Sequence, residues 1–222
     1  MLKAIIFDFD GVICESVDVK IEAFRKLFSG YPKDLDRIMD YHIRTGGISR
    51  YVKFKVIYQD ILKKKLMPAA SKELGKKFSD YVYRAIVKAP LVHGALPFLK
   101  NYYQQIAFFV ASGTPQGEVR SIVKAKKLER FFKGVYGSPK SKYDIIQFIL
   151  KKNKIEANSV IFVGDSINDY DGAHQARIKF IGRVREGHYN PFIPVKINGS
   201  IRDIVDLEKL LKAEKLITSH QK

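Results

Sequence analysis

Asp8 and Asp10 stand two apart at the end of an apolar run, residues 2–7, with Gly11 directly after them. Side chains alternate along a strand, so acids at this spacing point to one side, roughly 6–7 Å apart, a gap that could hold a phosphoryl group. Gly11 permits a sharp exit where a side chain would obstruct the approach of a ligand. A second apolar run, 106–111, ends in Ser112-Gly113-Thr114-Pro115 ahead of a helix-like stretch at 116–128. That sets a hydroxyl and free backbone N–H groups at a helix start, a place suited to anions. A third run, 160–163, turns out through Gly164-Asp165-Ser166. Asp169 follows Asp165 by four residues and would share its side of a helix that began that early. Lys140 and Lys142 both precede a helical stretch at 143–150, and either one would hold a phosphate oxygen while screening the acids from one another.

Three strands delivering such groups to their carboxyl ends imply an α/β fold with a parallel sheet, whose ligand crevice lies at those ends. The charges add a condition. Asp8, Asp10, Asp165 and Asp169 gathered in one crevice repel strongly, and some protonate unless a cation joins them. An all-oxygen donor set suits a hard divalent ion, with Mg²⁺ the usual choice beside phosphate. No grouping of His or Cys offers a softer site: His42, His93, His174, His188 and His220 are scattered and read as structural or surface residues. Cys14 falls near the site but is read as a small buried apolar residue without a catalytic role.

In Asp8-Phe9-Asp10-Gly11-Val12, Ser112-Gly113, a lysine ahead of 143–150, and Gly164-Asp165-Ser166 with Asp169, the chain resembles the haloacid dehalogenase-like hydrolase superfamily. The likeness runs over nearly the whole length and is to the subgroup with a cap between the first and second motifs. It implies a Rossmann-like parallel sheet with helices on both faces, at 1–14 and 89–222, and an inserted α-helical cap at 15–88. It also implies Asp8 as nucleophile, Asp10 as the acid protonating the leaving oxygen, and Ser112 with Gly113 binding the phosphoryl group. The motif lysine is Lys140 or Lys142, with Lys142 slightly ahead. Metal ligands would be Asp165, the Asp8 carboxylate and the backbone carbonyl of Asp10, with Asp169 supporting them from behind. Halide needs no general acid whereas an alkoxide leaving phosphorus does, so Asp10 disfavours dehalogenation. The expectation is a Mg²⁺-dependent phosphatase acting on a small phosphorylated metabolite through an aspartyl-phosphate, with a phosphosugar mutase as the alternative.

Between the first two motifs the chain reads as helical: Tyr51, Phe54, Ile57, Tyr58, Ile61 and Leu62 recur at threes and fours, as do Leu74, Phe78 and Val82, a pattern for a core between helices. In Thr45-Gly46-Gly47-Ile48-Ser49-Arg50 two glycines make a loop and Ser49 is placed to cap a helix carrying Arg50 and Lys53. The segment is similar to the cap loop of β-phosphoglucomutases, which implies that Arg50, and less directly Lys53, grip a second anionic group of the substrate. Hinges are expected at Gly46-Gly47 and near Ser16 and Pro90.

After the fourth motif, residues 180–184 and 195–197 read as strands, 186–194 as loop and about 204–216 as a last helix, with a polar, frayed end beyond Thr218. The 222 residues suffice for an α/β core and a smaller insert. No apolar stretch approaches a membrane span, the acids at 8 and 10 interrupt what would be a signal peptide, and a single cysteine fits a reducing cytoplasm. A net charge of +17 raises nucleic acid as a partner, in the form of a non-catalytic basic member of the fold. The excess is spread, however: 17 basic and 9 acidic residues fall in 15–90, and 23 and 14 outside it. Lysine runs at 63–65, 124–130 and 151–154 lie among helix-spaced apolar residues and read as solvated faces, which argues against that partner. The sequence carries no signal for oligomeric state.

Overall fold

A computed structural model describes residues 1–217, so the polar end beyond Thr218 lies outside the described residues. Six parallel strands form one sheet in the order β3-β2-β1-β4-β5-β6. They are β1 (Ala4–Phe7), β2 (Ala107–Pro115), β3 (Gly134–Ser138), β4 (Val160–Gly164), β5 (Lys179–Arg183) and β6 (Gly199–Ile201). The expected α/β class with a Rossmann-like parallel sheet is what the structure has. β1 lies at the centre, with Ile5 in register between Phe108 of β2 and Ile161 of β4.

The continuous apolar runs are explained by burial on both faces. Ile5, Phe7, Phe108, Val110 and Ile161 join one core, and Ala4, Ile6, Phe109, Ala111 and Phe162 the other. Helices α5 (Ala95–Tyr102) and α9 (Ile204–Ala213) contribute Phe98, Leu207 and Leu211 to the first core. Helices α7 (Lys142–Asn153) and α8 (Ile167–Gln175) contribute Ile145, Ile149 and Ala173 to the second. Phe7, Phe98 and Phe108 meet with ring centroids 5.6–6.4 Å apart. Each such ring contributes about 2–3 kcal/mol through its removal from water.

Helices α1 (Val17–Leu27), α2 (Leu35–Arg44), α3 (Arg50–Val56) and α4 (Pro68–Lys88) lie between β1 and β2. α3 continues into a single π-helical turn, Ile57–Ile61. Phe24, Phe28, Phe54 and Phe78 are all buried and stack or meet edge-on among these helices, so the aromatic periodicity is a core. Tyr51 is the exception and stays 41 % exposed. The two strands of chain joining insert and core run side by side: Glu15 N–H donates to the Pro90 carbonyl at 3.0 Å and Val92 N–H to that of Ile13 at 3.0 Å.

Gly46-Gly47 is not at this junction. Its loop lies against the core, where the Asn168 amide donates to the Gly47 carbonyl at 3.1 Å. Two expectations are corrected. Residues 195–197 are not a strand; the edge strand is β6, displaced to 199–201, where Ile181 faces Gly199. Ser112 does not begin a helix either, because β2 runs on to Pro115 and α6 (Gln116–Ala125) starts only at Gln116. No described helix is long and apolar enough to cross a membrane.

Candidate active site

Asp8 leaves the end of β1 buried, with its Oδ1 accepting from the Phe9 N–H at 2.6 Å. Lys142, the first residue of α7, is placed by a capping box in which Ser141 and Asp144 satisfy each other's backbone N–H groups. Its ammonium lies 3.1 Å from Asp8 Oδ1 and 2.6 Å from Asp169 Oδ1, and donates to the Ala111 carbonyl at 2.7 Å. Of the two candidate lysines only Lys142 reaches the acids. Lys140 is exposed, its ammonium 4.5 Å above the Phe148 ring, because Ser141 takes the N-cap position and only the residue after it starts the inward-facing turn.

Asp169 is fully buried at the third position of α8. Its Oδ2 accepts from the Ser166 hydroxyl at 2.6 Å and the Ser166 N–H at 3.2 Å. Both of its oxygens are thus engaged, Oδ1 by Lys142 and Oδ2 by Ser166. Asp165 precedes the helix, is half-buried, and has no hydrogen bond or ion pair among the described residues. Carboxylate oxygens of Asp8, Asp165 and Asp169 lie within 4.8 Å of one another. Gly11 makes room for them: it has φ +76°, and a Cβ there would fall 1.9 Å from Asp165 Oδ2.

Asp10 faces the same cavity with a different set of partners. Ser16 Oγ donates to its Oδ1 at 2.6 Å, Thr114 Oγ1 to its Oδ2 at 3.0 Å, and Lys20 forms an ion pair with Oδ2. Ser112 Oγ lies 3.4 Å from Asp10 Oδ2 and accepts from the Thr114 N–H at 3.1 Å. Lys20, which also donates to Thr114 Oγ1 at 2.8 Å, carries no motif in the sequence. Thr114 was within reach of sequence reasoning, as the residue directly after Ser112-Gly113.

The electrostatics divide the acids. Burial pushes the Asp8 carboxyl up to about 7, with Lys142 opposing and Asp169 and Asp10 reinforcing the rise. Asp165 is raised well above the ordinary range by burial and by Asp8 and Asp169. For Asp10 burial acts upward too, but Lys20, Ser16 and Thr114 overcome it and hold the carboxyl below its usual value. Burial opposes the charge on Lys142, yet Asp169 and Asp8 raise it on balance. Fully ionised, the four carboxylates against Lys142 and Lys20 would leave two negative charges, the complement of one divalent cation, with carboxylate oxygens of Asp165 and Asp8 as donors. The residues present therefore fit a hard divalent ion.

The helical insert roofs the cavity. Phe24, His42, Ile48, Arg50, Lys53 and Phe78 line it opposite Asp8, Asp10, Gly113 and Asp165. Ser49 holds the N-cap position of α3 but makes no side-chain cap bond there. Arg50 is 5 % exposed and paired with Glu118, 2.6 Å from Nη2 to Oε1; nothing in the sequence distinguished Glu118 from an ordinary first-turn acid. Lys53 is 4 % exposed and donates to the His42 carbonyl at 2.9 Å. His42, buried and stacked on Phe24 at 3.8 Å, is thus structural and also part of the cavity wall. Burial, with Lys53 and Lys20 nearby, lowers it to about 2, and burial with Lys20 lowers Lys53 to about 7.

Gly113 marks where roof and floor touch, since a Cβ there would lie 2.2 Å from the Gly47 carbonyl oxygen. Gly113→Ala is expected to push the 46–48 loop off the core and cut kcat/KM by about 10- to 100-fold, the scale of a 1 Å misplacement, with an unchanged circular dichroism spectrum. A variant of undiminished activity would show that this contact is dispensable.

The family model described as haloacid dehalogenase-like hydrolase matches residues 5–183. A phosphorylated carbohydrates phosphatase of Thermotoga maritima is 24% identical over 185 residues, covering 81% of this chain and 84% of that protein. A phosphoglycolate phosphatase of Pseudomonas fluorescens is 31% identical over 127 residues, or 55% of this chain and 45% of that protein. Among solved structures, a hydrolase from Pseudomonas syringae superposes with a TM-score of 0.79 at 19% identity, covering 95% of this chain and 98% of that one, a likeness of fold.

Proposed function

Because the chain belongs to the haloacid dehalogenase-like hydrolase family, we propose that it is a phosphatase that cleaves a small phosphomonoester through an aspartyl-phosphate on Asp8. Asp8, with one oxygen fixed by Phe9 and Lys142, presents the other for in-line attack on phosphorus. Lys142, Ser112 and the backbone N–H groups around Gly113 neutralise the charge on the transferring oxygens. Asp10 rests as a carboxylate because Lys20 holds it so. An entering phosphoryl dianion competes for Lys20, and a buried carboxyl released from that lysine takes up a proton from solvent as the substrate enters, which it then gives to the leaving alkoxide. The carboxylate so formed accepts the proton of the water that hydrolyses the intermediate.

Asp8, Asp165 and the Asp10 carbonyl would hold Mg²⁺, which when bound offsets the two surplus negative charges and polarises a phosphoryl oxygen. Residues 15–88 act as a cap moving on the paired connections at 14–16 and 89–92, and its closure excludes water while substrate binds. The names of the relatives, one acting on phosphorylated carbohydrates and one on phosphoglycolate, support a small phosphorylated metabolite as substrate.

The observation that carries this reading is the buried Lys142 clasped between Asp8 and Asp169 beside an unpaired Asp165. The test is hydrolysis of p-nitrophenyl phosphate with Mg²⁺, expected to fall by about 100-fold or more after chelator treatment. Absence of turnover, coupled with salt-sensitive binding of RNA or DNA, would favour the basic non-catalytic alternative.

A further inference from the structure

Arg50 and Lys53 sit one turn apart on α3, line the same cavity and are both more than nine-tenths buried, yet their charges are in opposite situations. The Arg50 guanidinium meets Glu118 in a two-pronged pair, Nη2 to Oε1 at 2.6 Å and Nη1 to Oε2 at 3.1 Å. Ser79 of α4 closes the ring, accepting from Arg50 Nη1 at 2.7 Å and donating to Glu118 Oε2 at 2.5 Å. Arg50 and Ser79 belong to the helical insert, whereas Glu118 stands in the first turn of α6 in the core. The ring therefore crosses the seam. A substrate anion that claimed Arg50 would strand the buried Glu118 carboxylate, a penalty that cancels the benefit of the new ion pair.

Lys53 has no carboxylate partner among the described residues. Its ammonium donates to the His42 carbonyl and lies 3.3 Å from His42 Nδ1. The other charged group bearing on it is Lys20 of α1, itself paired with Asp10. Three ammonium protons and two neighbouring acceptors leave one donor direction open to the cavity. An uncompensated buried cation is costly to keep and is relieved by a ligand that brings a negative charge.

We propose, building on the phosphatase reading, that Lys53 is the residue that selects substrates bearing a second anionic group, while the Arg50–Glu118–Ser79 ring serves to hold the insert closed over the core. The substrate class is then a small phosphomonoester with a carboxylate or second phosphate on the leaving group. Glu118 is a positioning residue in this scheme, acting on every substrate alike through closure.

The test uses two phosphonates of similar size that the enzyme cannot hydrolyse, phosphonoacetate with its carboxylate and ethylphosphonate without one, titrated calorimetrically in Mg²⁺. The wild-type protein is expected to bind phosphonoacetate about 30-fold more tightly, the scale of one buried charge-assisted hydrogen bond. Lys53→Met should reduce that preference to about 3-fold or less, and Lys53→Arg should restore most of it. Glu118→Gln should weaken both ligands by the same factor and keep the preference. Equal binding by the wild-type protein overturns the proposal, as does a preference that survives in Lys53→Met or vanishes in Glu118→Gln. A purely structural Lys53, tying down the end of α2, would shift both ligands together and is excluded by the change in ratio. Failure of the phosphatase reading shows separately, as absence of p-nitrophenyl phosphate turnover.

Discussion

Asp8→Asn is expected to lower turnover of p-nitrophenyl phosphate by about 10⁴-fold or more, the scale at which removal of a covalent nucleophile is felt. The substitution is nearly isosteric, and an amide oxygen can still accept from the Phe9 N–H and from Lys142, so the local hydrogen bonds of Asp8 survive. What disappears is the nucleophilic oxygen, together with one of the four negative charges. Asp165 cannot substitute for it: a Cβ added at Gly11 would strike its carboxylate, so it is wedged against the turn that follows Asp8. Asp169 cannot either, since Ser166 and Lys142 occupy its oxygens. The check has two parts. Steady-state kinetics measure the loss, and mass spectrometry of acid-quenched wild-type protein should find phosphate on the peptide carrying Asp8 and none in the variant. A variant within tenfold of wild-type turnover would place the nucleophile elsewhere.

The floor of the site was legible in the sequence because it depends on local order. Strand ends at Phe7 and Gly164 are announced by apolar runs that stop abruptly, and the acids follow at fixed offsets. A parallel sheet then brings those ends together whatever the intervening chain does. The ambiguity between Lys140 and Lys142 had a local solution as well, in the Ser141–Asp144 capping box, which fixes where α7 starts.

The roof was legible as helices and, in Arg50 and Lys53, as two of the cations that line it, but not in its pairings. Glu118 and Arg50 are 68 residues apart, and Lys20 and Thr114 are 94 apart; neither pair belongs to a periodic pattern. Such pairings are set by how an insert settles on a core, which no spacing rule encodes. The same reason explains the strand misplaced to 195–197. Val195 and Ile197 are apolar enough to pass for one, but they pack as irregular chain around Phe192, and the edge of the sheet is completed by the less apolar Gly199–Ile201.

Lys142→Met is expected to cost about 10²- to 10³-fold in turnover, the range for removing one preorganised charge from a transition state. Its effect on stability should be as telling. The ammonium is 3 % exposed and lies between two carboxylates, Asp8 and Asp169, that are themselves 4 % exposed or less. Breaking a buried ionic cluster by removing one member typically costs about 3–5 kcal/mol, because the charges left behind are unpaired. The sign of the pH dependence follows from Asp8, whose folded value is raised to about 7 from an ordinary 3.8. A raised carboxyl contributes stability that is fully present below about pH 3.8 and is lost as the pH climbs through about 7. Lys142 is the largest influence opposing that rise, so its removal moves the Asp8 value further up and extends the loss to higher pH. In urea unfolding without divalent ions, the deficit of Lys142→Met relative to wild type should therefore be largest near pH 8 and shrink toward pH 4. Added Mg²⁺ should recover part of it at pH 8, since a cation at Asp8 and Asp165 relieves the same repulsion. A deficit that does not vary with pH would mean that methionine merely packs badly, and that the lysine holds no charge balance in this site.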